Sequence, residues 1–246
     1  QDLGEQVRLL ASDDGDKGKH VFNTFVWPSD ILLPLKVMPN DFIPVCEETG
    51  LIDEVGRIVL EQGCRQAIEW HKRGCNLNMS LNVSPRQFSD PTFLDTLRAI
   101  ALQDGFPFGR IELEITENVL IGDDQLIAEK LKAITEMGYG VAIDDFGTGY
   151  SNLAYISRFP LTCIKIDRSF IQQLPDTGPL VQLILTLGEQ IGASVVSEGV
   201  ETLDQLTWLN DRACAEAQGY LITRPIPASD LCDFIHGFQG SEVVLG

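Results

Sequence analysis

Short apolar runs alternate with longer stretches of helical period along most of the chain. Residues 79–83, 111–115, 141–143, 162–166 and 194–197 are brief apolar runs suited to buried strands. Between them, apolar residues recur every three to four positions. Val55, Ile58, Val59, Ala67 and Trp70 follow a capping Asp53 and precede Gly74; Phe93, Leu94, Leu97 and Ile100 follow Asp90-Pro91; Ile127, Leu131 and Ile134 follow Asp124. Residues 180–191 and 203–209 complete the helical set. Nearer the ends, residues 13–19 read as a polar turn, residues 21–27 as a strand stopped by Pro28, and residues 219–222 as a late strand.

Strand-helix alternation implies a parallel sheet covered by helices, either doubly wound or closed as a barrel. Two features favour an α/β barrel of the (β/α)8 TIM type. A length of 246 residues suits one such barrel. In addition, the strands end in polar residues that apolar packing does not explain: Asn82, Glu114, Asp144-Asp145, Lys165, Glu198 and Gln218. Parallel strands point one way, so these residues meet at the C-terminal mouth, where barrel active sites lie. Alternation agrees. Ile164 and Ile166 share one face and Lys165 and Asp167 the other, while Ile111, Leu113 and Ile115 oppose Glu114. Glu112 shares the parity of Glu114 deeper in the barrel, without an evident role.

Any one of these residues alone would pass for a turn cap or a solvated acid. As a set they call for a cation, because converging carboxylates repel one another and a buried lysine needs acids around it. Carboxylate, amide and water oxygens suit Mg²⁺ or Mn²⁺. Adjacent Asp144 and Asp145 can touch one ion each if the backbone bends after the strand, as in a two-metal clamp on phosphoryl displacement. The loop Phe146-Gly147-Thr148-Gly149-Tyr150-Ser151 follows, and its glycines permit close approach to a ligand. Glu117 is placed either to tether that loop or to cap the next helix.

The net charge of −18 sets the chain against DNA, RNA and anionic membrane surfaces. Six scattered cysteines and three histidines leave little from which to build a zinc site, a disulfide framework or a Ser-His-Asp triad. No apolar run is long enough for membrane insertion and no signal peptide is evident, so a cytoplasmic protein is expected. Residues 1–20 read as a lead-in, 21–238 as the barrel and 239–246 as a tail.

Several segments run in order over residues 40–228: Asp41-Phe42-Ile43-Pro44, Glu48-Thr49-Gly50-Leu51-Ile52, Leu81-Asn82-Val83-Ser84, Glu112-Leu113-Glu114-Ile115-Thr116-Glu117, Ile143-Asp144-Asp145-Phe146-Gly147-Thr148-Gly149-Tyr150-Ser151, Ile164-Lys165-Ile166-Asp167-Arg168-Ser169-Phe170, Ser197-Glu198-Gly199-Val200-Glu201-Thr202 and Gln218-Gly219-Tyr220-Leu221. In this order and spacing the chain resembles the EAL-domain cyclic di-GMP phosphodiesterases of bacteria. The resemblance implies a (β/α)8-type barrel with one antiparallel strand, a pair of Mg²⁺ or Mn²⁺ ions, and hydrolysis of cyclic di-GMP to linear pGpG. It implies metal-ligand roles for Asn82, Glu114, Asp144, Asp145 and Glu198, the last two serving in catalysis with Lys165, which orients or activates the attacking water. It places Gln218 against a guanine and Asp167 near the metals on the substrate side. Glu117 would hold the loop of Phe146, Gly147, Thr148 and Gly149, which couples the site to homodimer formation. Flanking signalling domains are common in the family.

The departure lies at the N-terminal end. Counting without gaps from Pro39 or from Gly18 puts the Glu-Ala-Leu segment on Thr24-Phe25-Val26 and a phosphate-binding arginine on Pro28. Glu5 is the only glutamate before Glu47. Loss of that ligand predicts a folded barrel with feeble or absent hydrolysis, acting as a cyclic di-GMP-binding or regulatory module. The alternatives are a working phosphodiesterase with an unusual first strand, and a dimerisation scaffold that binds no nucleotide.

Overall fold

The structure is a computed structural model that describes residues 5–10, 21–26, 39–74, 77–121, 124–148, 156–222 and 231. Strands β1 (Glu5–Leu10), β2 (Val21–Val26), β3 (Asn78–Val83), β4 (Ile111–Thr116), β5 (Gly140–Phe146), β6 (Cys163–Ile166), β7 (Ser194–Ser197) and β8 (Glu216–Ala217) close a barrel in the order β1-β2-β8-β7-β6-β5-β4-β3. β1 runs antiparallel to both of its neighbours, and every other pair is parallel. The expected barrel with one antiparallel strand is what the chain forms. The antiparallel strand falls in the stretch read as a lead-in, because EQVRLL is too short and too mixed to be told from a loop.

Helices α1 (Pro39–Thr49), α2 (Ile52–Lys72), α3 (Pro85–Ser89), α4 (Phe93–Ala101), α5 (Asp124–Glu136), α6 (Arg168–Gln172), α7 (Gly178–Ile191) and α8 (Leu203–Asn210) fill the connections. None of the described helices is long and apolar enough to cross a membrane.

Strand alternation separates two environments. Met79, Leu81 and Val83 of β3, Ile111, Leu113 and Ile115 of β4, and Ile164 and Ile166 of β6 join Trp70, Leu97, Leu131 and Ile134 in one outer core. At roughly 1.5–3 kcal/mol per buried aliphatic side chain, this shell supplies most of the stability. The intervening residues line the lumen. Ala142, Cys163 and Val196 form a small apolar cluster of their own there. Glu112 is hydrogen-bonded rather than functional in appearance: its carboxylate accepts from Thr162 Oγ1 at 2.9 Å and from Ser80 Oγ at 3.4 Å.

Three local expectations need correction. Asp53 does not cap α2; Leu51 holds the N-cap position, and Asp53 sits in the first turn, where the helix dipole favours it, and pairs with Arg86 Nε at 2.8 Å. Asp90 does not start α4 either; it is the C-cap of α3, its N–H donating to Arg86 O and Gln87 O. Its Oδ1 accepts from Thr92 N–H at 2.6 Å and Oγ1 at 2.7 Å, and α4 starts beyond that turn. The late strand is β8, Glu216–Ala217, whereas residues 219–222 form a turn closed by Ile222 N–H on Gly219 O at 3.0 Å. Gly219 lies so near β7's exit that a Cβ would come within 2.1 Å of Val200 O and 2.3 Å of Val200 N. Those are backbone atoms and cannot swing aside. Gly219→Ala is therefore expected to cost roughly 1–3 kcal/mol and to displace the neighbouring Gln218; thermal and guanidinium unfolding check this, and an unchanged midpoint would count against the close approach.

Candidate metal centre

Lys165 stands at the middle of the upper lumen, 1 % exposed. Its Nζ lies 2.8 Å from Glu114 Oε2, 3.0 Å from Asp144 Oδ1 and 2.7 Å from Glu198 Oε1. Burial works against the ammonium, but Asp144, Glu114 and Glu198 together outweigh it and hold the lysine charged well above its usual range. The acids bear the opposite strain. Burial lifts the Glu114 carboxyl to about 8 and that of Glu198 to about 7; Lys165 draws both back, and Asp144 pushes both further up. Asp145 is raised too, by burial first and then by Asp144 and Asp167.

The expected bend is present, but within β5 rather than after it. The β5–β6 register slips between Ile143 and Phe146, and Asp145 adopts φ +52, a left-handed conformation that few non-glycine residues take. This slip turns two sequence neighbours toward one place. Carboxylate oxygens of Asp144, Asp145 and Glu198 lie within 4.8 Å of one another. Glu114 Oε1 is buried and accepts no hydrogen bond. An all-oxygen cluster with such an orphaned atom fits a hard divalent cation. Asn82, half-buried on β3, stands in register with Glu114 on β4.

The remaining site residues frame this centre. Gln218 is buried; its backbone N–H donates to Ser197 O at 2.8 Å and its carbonyl accepts from Val200 N–H at 2.9 Å. Asp167 caps α6, its Oδ1 accepting from Ser169 N–H at 2.9 Å and from the Ser169 hydroxyl. The cap leaves it close enough to raise Asp145. Glu117, buried in the short 3-10 turn after β4, accepts the Gly147 N–H through Oε2 at 3.2 Å. Phe146 is buried, Gly147 has φ +95, and Thr148 Oγ1 donates to Asp145 O at 2.8 Å. The tether thus reaches the backbone of the metal-cluster loop. Gly149 and Pro28 lie outside the described residues.

Thr24, where gap-free counting put the missing glutamate, lies on β2 and pairs with Val7 of β1.

A family model described as "EAL domain" matches residues 31–225. Cyclic di-GMP phosphodiesterase PdeR of Escherichia coli (strain K12) is 35% identical over 195 residues, 78% of this chain and 30% of that protein. Among solved structures, the PaMucR phosphodiesterase in complex with c-di-GMP is 34% identical, with a TM-score of 0.78 over 93% of both chains. The EAL domain of Mycobacterium smegmatis DcpA is 29% identical, with a TM-score of 0.72 over 96% of both chains. The chain spans about a quarter to a third of the length of the curated relatives it matches.

Proposed function

Because the chain belongs to the EAL-domain family of cyclic di-GMP phosphodiesterases, we propose that its barrel mouth binds cyclic di-GMP with the help of Mg²⁺ or Mn²⁺ and hydrolyses it feebly or not at all. One observation carries this reading. β2 is VFNTFV and supplies no carboxylate, while the other strands bring Glu114, Asp144, Asp145, Lys165 and Glu198 together. A divalent ion supplies charge stabilisation and an acidified water when bound. Asp144, Asp145 and Glu198 are the residues to hold it, with Asn82 and Glu114 beside them. Lys165 orients a water among the acids. Gln218 and Asp167 face the nucleotide side. The Glu117–Gly147 tether passes changes in the loop, and in a homodimer contact through it, to Asp145. The same domain in a longer cytoplasmic signalling protein would act as its cyclic di-GMP-responsive part.

A second reading, an active phosphodiesterase yielding pGpG, is favoured by the three-acid cluster. Incubation with cyclic di-GMP and Mn²⁺, followed by chromatography, separates the two. The proposal expects product at no more than a small fraction of the rate of an active EAL enzyme run in parallel, together with a calorimetric binding signal in Ca²⁺. Turnover matching the active enzyme would establish the second reading, and no binding in Ca²⁺ would leave only a scaffold.

A further inference from the structure

The sheet does not by itself fix how the acids at the ends of β5 and β7 stand relative to one another. β6 lies between those two strands. On its β5 side the register slips between Ile143 and Phe146, so the ladder skips Asp144 and Asp145. On its β7 side the last paired residue is Ser197, and Glu198 follows with its N–H on Ile166 O at 3.1 Å. β6 runs through Asp167 directly into the short helix α6, and α6 lies against the chain on both sides. A Cβ placed on Gly147, two residues past Asp145, would come within 3.1 Å of the Phe170 ring. A Cβ on Gly199, next to Glu198, would come within 2.5 Å of Arg168 Cβ and 3.3 Å of its Cα. Both glycines have positive φ, and both let the backbone approach α6 where a side chain would not fit.

α6 is itself held firmly. Asp167 Oδ1 accepts from Ser169 N–H at its start, Thr177 Oγ1 donates to Phe170 O, and Gln173 Nε2 donates to Ser169 O at 2.9 Å. Ile171 is fully buried in the outer core. Ile184 of α7 backs the same glycine, its Cδ1 lying 3.7 Å from the Cβ position on Gly147. A close-packed body anchored in this way passes on a displacement instead of absorbing it.

We propose that α6 is a spacer between the two acid-bearing ends, and that Phe170 is a positioning residue which, through Gly147, sets where the Asp145 carboxylate stands relative to Glu198. The inference rests on reading the mouth as a metal centre. Glu117 restrains Gly147 by one hydrogen bond to its N–H; the Phe170 ring supplies the surface against which that residue rests. Without the ring the loop backbone settles into the space, and Asp145 leaves the cluster in which its oxygen lies within 4.8 Å of those of Asp144 and Glu198.

Calorimetric titration with Mn²⁺ and the electron paramagnetic resonance spectrum of bound Mn²⁺, both taken well below melting, test this on wild type, Phe170→Ala, Phe170→Leu, Leu97→Ala and Asp145→Asn. Leu97 is a buried core residue of α4, in the connection from β3 to β4, and serves as the control for lost stability alone. Phe170→Ala is expected to bind Mn²⁺ about tenfold more weakly, with a changed spectrum, as when a group that orients metal ligands is removed. Phe170→Leu should fall between it and wild type, and Leu97→Ala should melt lower yet keep wild-type affinity and spectrum. Wild-type affinity and spectrum in Phe170→Ala overturn the inference but keep the metal centre. So does an equal loss of affinity in Leu97→Ala, which would make the effect one of general loosening. If Phe170→Ala does not fold, Phe170→Leu decides: weakened binding with a changed spectrum supports the spacer, and unchanged binding overturns it. If wild type binds Mn²⁺ no better than Asp145→Asn, the metal-centre reading itself fails, and this inference with it.

Discussion

Lys165→Met is expected to destabilise the barrel by about 3–5 kcal/mol near pH 7.5 and by much less near pH 5. The lysine is the cation that Glu114, Asp144 and Glu198 share at 2.7–3.0 Å. Methionine fills a similar volume, so the loss is electrostatic rather than a cavity. Without the ammonium, Glu114 and Glu198 must fold as neutral acids, and their carboxyls rise above the values of about 8 and about 7 they have beside Lys165. Taking up those protons is costly at pH 7.5 and cheap at pH 5, where the unfolded carboxyls are themselves near titration. Guanidinium unfolding of both proteins at the two pH values measures the difference. An equal loss at both would mean that the acids are not what Lys165 serves. Mn²⁺ should restore part of the stability at pH 7.5, since a second cation then stands in for the lost one.

The affinity for Mn²⁺ is expected to climb steeply between pH 6 and pH 8.5, by up to about tenfold per pH unit for each proton displaced. The sign follows from the raised carboxyls. Their folded values, about 8 for Glu114 and about 7 for Glu198, lie above the ordinary 4.5. The metal-free barrel therefore binds more protons than the unfolded chain across that window, and these two groups make it less stable as pH rises from about 4.5 to about 8. A cation needs the ionised forms, so it gains where the metal-free protein loses. The raised Lys165 titrates above this window and adds stability that persists until pH exceeds its folded value. Calorimetry at three pH values, repeated in buffers of different ionisation enthalpy, reads both the affinity and the protons released. A flat profile without proton release would contradict the raised acids.

Much of this site was legible before folding because the strand period exposes it. In IELEIT and TCIKID the apolar residues take one face and the acid or lysine takes the other, and the structure keeps that division. The backbone bend at Asp145 could be required but not located, since a bulge depends on the partner strand as much as on Asp144-Asp145. Glu112 was visible as a lumen residue, yet its partners Thr162 and Ser80 come from other strands. β1 was illegible for the same reason. Parity along a single strand is fixed only up to a one-residue slip, and a slip exchanges lumen for shell. Asp167 shows the converse. Its parity pointed inward, while its nearest hydrogen bonds are the local ones of a helix cap.

The small apolar plug of Ala142, Cys163 and Val196, each no more than 1 % exposed, closes the β5–β7 side of the lumen beneath Lys165. On that side, a group that reaches the acids from the mouth must go back the same way. Departure then follows a last-in, first-out order, and whatever lies across the mouth shields what sits below. A chelator would strip the ion from the open barrel far faster than from one capped by nucleotide, so the lifetime of the bound cation would report on whether the mouth is covered.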